Sequence, residues 1–429
     1  MSRSGSGGRK LLVTALAVVM AAAACIGGDD EADEPRDEAE EAPADGSGGG
    51  DGDGGGDGDG DGDGGDGGDG AAASDDDVVP GDEWVVDDPA DHDIDAATLE
   101  EARDYAFTEG KNTQGVVVVH RGAIVAEWYA EGADADSWAA SWSMAKSFTS
   151  ALVGIAVEDG LIPGVDEPMS TWYPDWAADD RAAITLEDVL QMSSGLLWNE
   201  SYDATAGPSD VVAMVTGASD QLAFVNDPAV DAEPQTEFNY SSGSTMLLSG
   251  VLEQATGMPV HGYARQEIFD PLGMDQAEWW QDVPGHTLTY CCLDTTSRGF
   301  ARFGLLYERE GAWGDEQVVP ADWVAASLEP GSATDGEYGY QWWLGQAEGL
   351  PDDLFSAQGH DGQMIYVIPS LDLVVVRNGT YVKDEGPAVA DPTLFEHYPS
   401  DGLVPGRGTI QPDEWDDTEF LGPIVEAIG

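Results

Sequence analysis

The chain has 429 residues, and 84 acidic side chains against 16 lysines and arginines give it a net charge of −68. That balance excludes nucleic acid and anionic membrane surfaces as partners, because both would repel it. Three cysteines, two of them adjacent, exclude a disulfide framework as the support of the fold.

In chain order, Arg3, Arg9 and Lys10 precede an uncharged run from Leu11 to Ala24, which leads into Cys25. A basic n-region followed by a short apolar stretch predicts an export signal over residues 1–24. The stretch is too short to cross a bilayer about 30 Å thick, which takes about 20 residues. Ala22-Ala23-Ala24-Cys25 resembles a bacterial lipobox, so Cys25 is expected to carry lipid and become the mature N-terminus. The alternative is an ordinary signal peptide with Cys25 free. Residues 25–78 follow as an Asp-, Glu-, Gly- and Ala-rich segment with Asp-Gly repeats from Asp51 to Gly70. Such a composition cannot bury enough apolar surface to offset chain entropy, and it predicts a disordered tether. A calcium-binding role is the alternative, but the nonapeptide spacing of calcium β-rolls is missing. The tether takes only 21 of the 84 acids, counted over residues 29–77, so the folded part is itself strongly acidic.

Residues 79–429 hold all 14 tryptophans and every candidate core segment. Ala96 to Thr108 has helical spacing. Val116–His120 and Ala123–Tyr129 read as strands around Arg121-Gly122, and Met364–Ile368 and Leu373–Val376 as a second hairpin. Helical patterns lie between them at Met144–Glu158, Leu186–Met192, Val211–Val215, Ser244–Thr256 and Thr296–Glu308. Phe420–Ile428 reads as a closing helix interrupted early by Pro423. Strands from both chain ends with a mostly helical middle inserted predict an α+β fold. Cys291 and Cys292 have Cα atoms closer than a disulfide usually spans, which predicts two free thiols.

Three short segments carry chemistry. In Ser143-Met144-Ala145-Lys146, helical i,i+3 spacing puts hydroxyl and amine on one face. A lysine held in an apolar cleft can take the serine proton, and the helix N-terminus offers an N–H for an oxyanion. Alone, the same residues also describe an N-capping serine and a surface lysine. In Asn239-Tyr240-Ser241-Ser242, Tyr240 beside an ammonium can relay a proton, or it is a packed tyrosine ahead of a serine-capped helix. In Gly359-His360-Asp361-Gly362-Gln363, glycines let backbone approach a ligand at a strand entrance, or mark only a turn.

The order Ser-x-x-Lys, Tyr-x-Ser and His-x-Gly, together with Thr185–Leu196, Trp198-Asn199-Glu200, Arg298–Gly304 and Tyr338–Trp343, resembles the serine β-lactamase and penicillin-binding superfamily. It is most similar to the class C β-lactamase-related branch of esterases, D-amino-acid peptidases and 6-aminohexanoate-dimer hydrolases. The resemblance runs from about Gly115 to Asn378. It implies a β-lactamase-like antiparallel sheet of N- and C-terminal strands flanked by helices, with an inserted, mostly helical subdomain. It further implies Ser143 as nucleophile, Lys146 as base, Tyr240 as relay, and the N–H groups of Ser143 and Gln363 as oxyanion donors. His360 and Gly362 stand at the Lys-Thr-Gly position, where His360 replaces the lysine that holds penicillin-like carboxylates. Ser242 replaces the usual asparagine. Tyr202, Trp198, Trp342 and Trp343 are implied as pocket walls.

The expected activity is hydrolysis of an amide or ester in a small or short peptide-like substrate, through an acyl-serine and without metal or organic cofactor. A D,D-carboxypeptidase acting on peptidoglycan and an inactive wall-fragment-binding module are the alternatives. The expected location is the outer face of a bacterial cytoplasmic membrane through the Cys25 lipid anchor, or a periplasmic or extracellular space.

Overall fold

The computed structural model describes residues 78–202, 207–345, 349–379, 395–397 and 415–429. The export signal, Cys25 and the acidic tether lie outside the described residues.

The run Val116-Val117-Val118-Val119 has no polar alternation, which suits a strand covered on both faces. Thr113–His120 is such a strand, buried along its whole length. Successive side chains point to opposite faces. Val117 and Val119 enter a core with Phe148 and Leu152 of the helix Ala145–Glu158 and with Phe300 and Phe303 of the helix Ser297–Glu308. Val116 and Val118 enter a second core with Leu99 and Ala102 of the helix Ala96–Ala106 and Phe420 and Leu421 of the helix Asp417–Ile428. Each such aliphatic side chain contributes about 1.5–3 kcal/mol by leaving water.

The main sheet has six strands in the order Ala123–Tyr129, Thr113–His120, Leu373–Gly379, Gln363–Ile368, Phe355–Gly359, Trp343–Leu344. All neighbours are antiparallel. At its centre the N-terminal strand meets the C-terminal one, with Val117 opposite Val376 and Val119 opposite Val374. The α+β architecture expected from the sequence is thus present, with a β-lactamase-like course. The closing helix begins at Asp417, capped by the Asp416 carboxylate, and continues through Pro423 because Phe420, Leu421 and Ile424 remain buried.

Between the sheet halves lie Leu186–Leu190, started by a Thr185/Asp188 capping box, and Asp210–Gly217 and Ser242–Thr256, capped by Ser209 and Ser241. A small sheet pairs Leu293–Thr296 with Trp138–Ala140 on one side and Ala277–Trp279 on the other. It brings the start of the Ala145–Glu158 helix beside the Tyr290–Cys292 segment. Ser141 donates its N–H to the Leu293 carbonyl at 2.8 Å, and its hydroxyl accepts the Leu293 N–H at 2.9 Å.

One expectation is corrected here. Cys291 and Cys292 form a disulfide across a Cα separation of 3.7 Å. Cys292 takes a left-handed backbone, with φ 68°.

Candidate active site

The turn Trp142–Met144 leads into the helix Ala145–Glu158, so Ser143 stands just before the first helical residue. Trp142 has φ 45°, a conformation that a bulky residue holds only under external constraint. Ser143 and Lys146 meet as their spacing predicts, with Lys146 Nζ 2.9 Å from Ser143 Oγ. Two more acceptors complete the amine's surroundings, Ser242 Oγ at 3.1 Å and the Tyr290 carbonyl at 3.0 Å. An ammonium has three donors, and all three are directed here. Lys146 is 1 % exposed. Burial pulls its pKa down to about 8, against an upward pull from the Glu200 charge. A substantial fraction of the amine is therefore neutral near physiological pH, which suits a general base.

Tyr240 comes from just before the Ser242–Thr256 helix. Its ring centroid lies 4.8 Å from Lys146 Nζ. Burial and the Glu200 charge push its phenol well above the usual tyrosine range. Tyr240 is therefore a protonated hydroxyl, able to hand a proton on. Stacking on Trp343, at 5.5 Å between centroids, fixes its ring.

Ser242 links the lysine to a carboxylate. Its Oγ accepts from Lys146 and donates to Glu200 Oε1 at 2.6 Å, while its N–H donates to Glu200 Oε2 at 2.9 Å. Glu200 also accepts from Trp198 Nε1 and, at 3.4 Å, from the Tyr202 hydroxyl. The carboxylate thus sits at the N-terminus of the Ser242–Thr256 helix, where the helix dipole favours negative charge. Trp198 is wedged against Gly243, where an added Cβ would lie 2.5 Å from the indole.

The cleft at Ser143 is narrow, with a free volume of about 20 Å³, room for about one water. Val211, Val212, Val215 and Thr216 form one wall, and Trp142, Tyr202, Tyr290, Cys291 and His360 line the rest. Among the described residues, none that line it is a lysine or arginine. The His360 ring stacks on Tyr202 at 5.3 Å and meets Trp142 edge-on at 5.7 Å.

Behind it, the loop from Gly359 to Gln363 is held by Arg377, whose Nη1 donates to the carbonyls of Asp361 at 2.8 Å and Gly362 at 2.6 Å. Burial lowers the Arg377 pKa to about 10, and Trp415 covers its guanidinium at 4.5 Å. Gly359 packs on the nucleophile turn so closely that a Cβ there would lie 3.1 Å from Ser143 N.

The structure therefore gathers Ser143, Lys146, Tyr240, Ser242, Tyr202 and His360 around one cleft. Trp198 is linked to it through Glu200 and faces a second cavity, of about 230 Å³, with Leu197 and Phe224. Gly362 lies behind the cleft at φ 70°. Gln363 is fully buried in register with Gly359, its amide bonded to Gly379 and Asn378. Trp342 is 0 % exposed and packs on Phe303, Tyr307 and Phe355, so it is core and not pocket wall. Glu200 and Tyr290 were not singled out from the sequence. Glu200 stood within the Trp198-Asn199-Glu200 stretch, but the Tyr290 contact is made by backbone and leaves no signal in residue type.

The chain is also similar to known proteins. A family model described as Beta-lactamase matches residues 103–394. A 6-aminohexanoate-dimer hydrolase of Paenarthrobacter ureafaciens is 25 % identical over 287 residues, 62 % of this chain and 72 % of that protein. A candidate beta-lactamase from Bacteroides dorei superposes with a TM-score of 0.60 at 15 % identity, over 78 % of this chain and 99 % of that one. A family VIII carboxylesterase gives a TM-score of 0.53 at 15 % identity, over 70 % and 95 %.

Proposed function

Because the chain belongs to the beta-lactamase family of serine hydrolases, we propose that it hydrolyses an amide or ester through an acyl-Ser143 intermediate. The observation that carries this reading is the Lys146 amine, buried, 2.9 Å from Ser143 Oγ and lowered to about 8. Lys146 takes the Ser143 proton as Oγ attacks the substrate carbonyl. The Ser143 N–H, near the helix start, receives the developing oxyanion. The second donor expected is the Gln363 N–H, at the start of a strand whose partner residue Gly359 packs on the Ser143 turn. Tyr240 passes a proton to the departing amine or alcohol. Water then attacks the acyl-serine, with the same groups acting in reverse.

The cleft supports the substrate class. Its valine wall suits a short apolar chain, and among the described residues that line it there is no lysine or arginine to meet a carboxylate on the acyl group. Penicillin-like substrates keep such a carboxylate on the acylated serine, which weighs against them, and the strongly acidic chain would repel the anionic wall polymers that a carboxypeptidase works beside. The named relatives, an aminohexanoate-dimer hydrolase and a carboxylesterase, fit linear amides and esters. The sequence of the first 78 residues further supports export and attachment through Cys25 on an acidic tether.

The test is peptide mapping of the full chain after treatment with a fluorophosphonate. A stoichiometric adduct on Ser143, with turnover of short-chain esters or aminohexanoate dimers, is expected. A folded protein with no adduct would refute the hydrolase reading and favour a binding module.

A further inference from the structure

The proposed mechanism leaves one buried reactive group without a role, the disulfide between Cys291 and Cys292. It is tied on both sides to the catalytic turn. Tyr290, just before it, gives its carbonyl to Lys146 Nζ at 3.0 Å. Leu293, just after it, is bound through both backbone groups to Ser141, two residues before Ser143. The pair itself is anchored from behind, since the Cys291 carbonyl accepts from Trp279 Nε1 at 2.8 Å and the Cys292 carbonyl from the Trp280 N–H at 3.0 Å. Cys291 also forms part of the cleft wall.

A ring closed through two adjacent side chains removes torsional freedom from the peptide that joins them. Cys292 sits at φ 68°, a conformation that a residue with a β-carbon keeps only when its surroundings over-determine it. Here the sulfur–sulfur bond is one such constraint, beside the Cys291 N–H bond to the Leu288 carbonyl at 3.1 Å and the Trp280 N–H bond to the Cys292 carbonyl. We infer that the Cys291–Cys292 disulfide is a positioning element for Lys146, fixing the Tyr290 carbonyl as the third acceptor of its amine, and that reduction by a dithiol switches the enzyme to a weaker state. The inference rests on the reading of Lys146 as general base.

The switching step is a two-electron exchange. One thiolate of the dithiol attacks a protein sulfur, the sulfur–sulfur bond breaks, and the second thiolate resolves the mixed disulfide. Each cysteine sulfur ends with one proton, and the reductant leaves as a cyclic disulfide. Freed of the ring, Cys292 relaxes from the left-handed region, the Tyr290 carbonyl turns from Lys146, and water enters beside the amine. Since burial is the main cause of the lowered lysine pKa, hydration moves it back toward the ordinary lysine range.

The experiment uses the full chain, in which Cys25 is the one other cysteine. Denaturation and alkylation without reductant first count free thiols, and Cys291 and Cys292 are expected to resist. The native enzyme is then treated with dithiothreitol, reduction is verified by a mass gain of two hydrogens, and kcat and KM are measured across pH on a short-chain ester. We expect kcat to fall about tenfold with KM little changed, the rising limb of the pH profile to move upward, and both to recover with oxidised glutathione. The double variant Cys291→Ala/Cys292→Ala, with its melting temperature checked, should behave like the reduced enzyme and ignore dithiothreitol. It decides alone if the reductant does not reach the buried bond, and the reduced wild type decides if the variant does not fold. Free alkylation of both cysteines without reductant overturns the inference, as does an unchanged kcat and pH profile in the reduced enzyme or the folded variant. An oxidised enzyme that neither turns over nor takes fluorophosphonate on Ser143 refutes the hydrolase reading instead, and this inference with it.

Discussion

Replacing Glu200 by glutamine isolates the electrostatic part of the site. The Glu200 carboxylate reaches Lys146 through one hydroxyl, 2.6 Å from Ser242 Oγ, which lies 3.1 Å from Nζ. The two charges are therefore no more than about 6 Å apart, and at an effective dielectric constant of about 20 they attract by about 3 kcal/mol. That is about 2 pH units at 1.36 kcal/mol each, reduced to about 1 by water in the open cleft. The sign follows from which form works. The neutral amine is the base, so activity rises with pH through the lysine pKa of about 8. Removing the carboxylate charge destabilises the ammonium, and the rising limb of kcat/KM, which reports the free enzyme, should move down by about 1 unit. The plateau should also fall a few-fold, because the donors on Ser242 and Trp198 lose charged acceptors. A profile of kcat/KM from about pH 5 to about pH 10 measures both. A limb that stays in place or moves upward would refute Lys146 as the titrating base.

Three further outcomes are expected. Ser143→Ala should lower turnover at least about 10³-fold without a change in melting temperature, and residual activity above a hundredth of wild type would place the nucleophile elsewhere. Trp342→Ala should destabilise the protein by about 3–5 kcal/mol in denaturant titration while leaving KM near wild type; a large KM effect at unchanged stability would return Trp342 to the pocket wall. Deleting residues 26–78 should leave the melting temperature unchanged, and a drop of many degrees would mean that the acidic segment packs on the folded region.

What the sequence made legible was periodic or local. The valine run of the Thr113–His120 strand, the two hairpins and the helix after Ser143 are repeats of side-chain character along the chain, and they sit within a few residues of their expected bounds. The Ser143–Lys146 pair was legible for the same reason, since one helical turn joins them. Glu200 and Tyr290 reach Lys146 from far along the chain, through a carboxylate two contacts away and a main-chain oxygen, and residue spacing encodes neither. Trp342 shows the opposite failure. Its neighbourhood in sequence suggested a pocket wall, but alternation along the chain turns Trp343 toward Tyr240 and Trp342 into the core. The disulfide of the cysteine pair is not legible in residue separation, because it depends on a backbone conformation that the sequence does not show.

The central pairing of Val117 with Val376 has a consequence for how the molecule is made. The strand that anchors the fold leaves the ribosome long before its partner exists, and closing so long a loop carries a high entropic cost before any contact offsets it. Until then its valines have no complete sheet to enter, and the nucleophile turn lacks the Gly359 segment that packs on it. The hydrolase should therefore mature late and all at once. A stalled or truncated chain ending before Leu373 would expose an unpaired apolar edge, a template for aggregation and for proteolysis, with the serine and lysine already adjacent in sequence but no site around them.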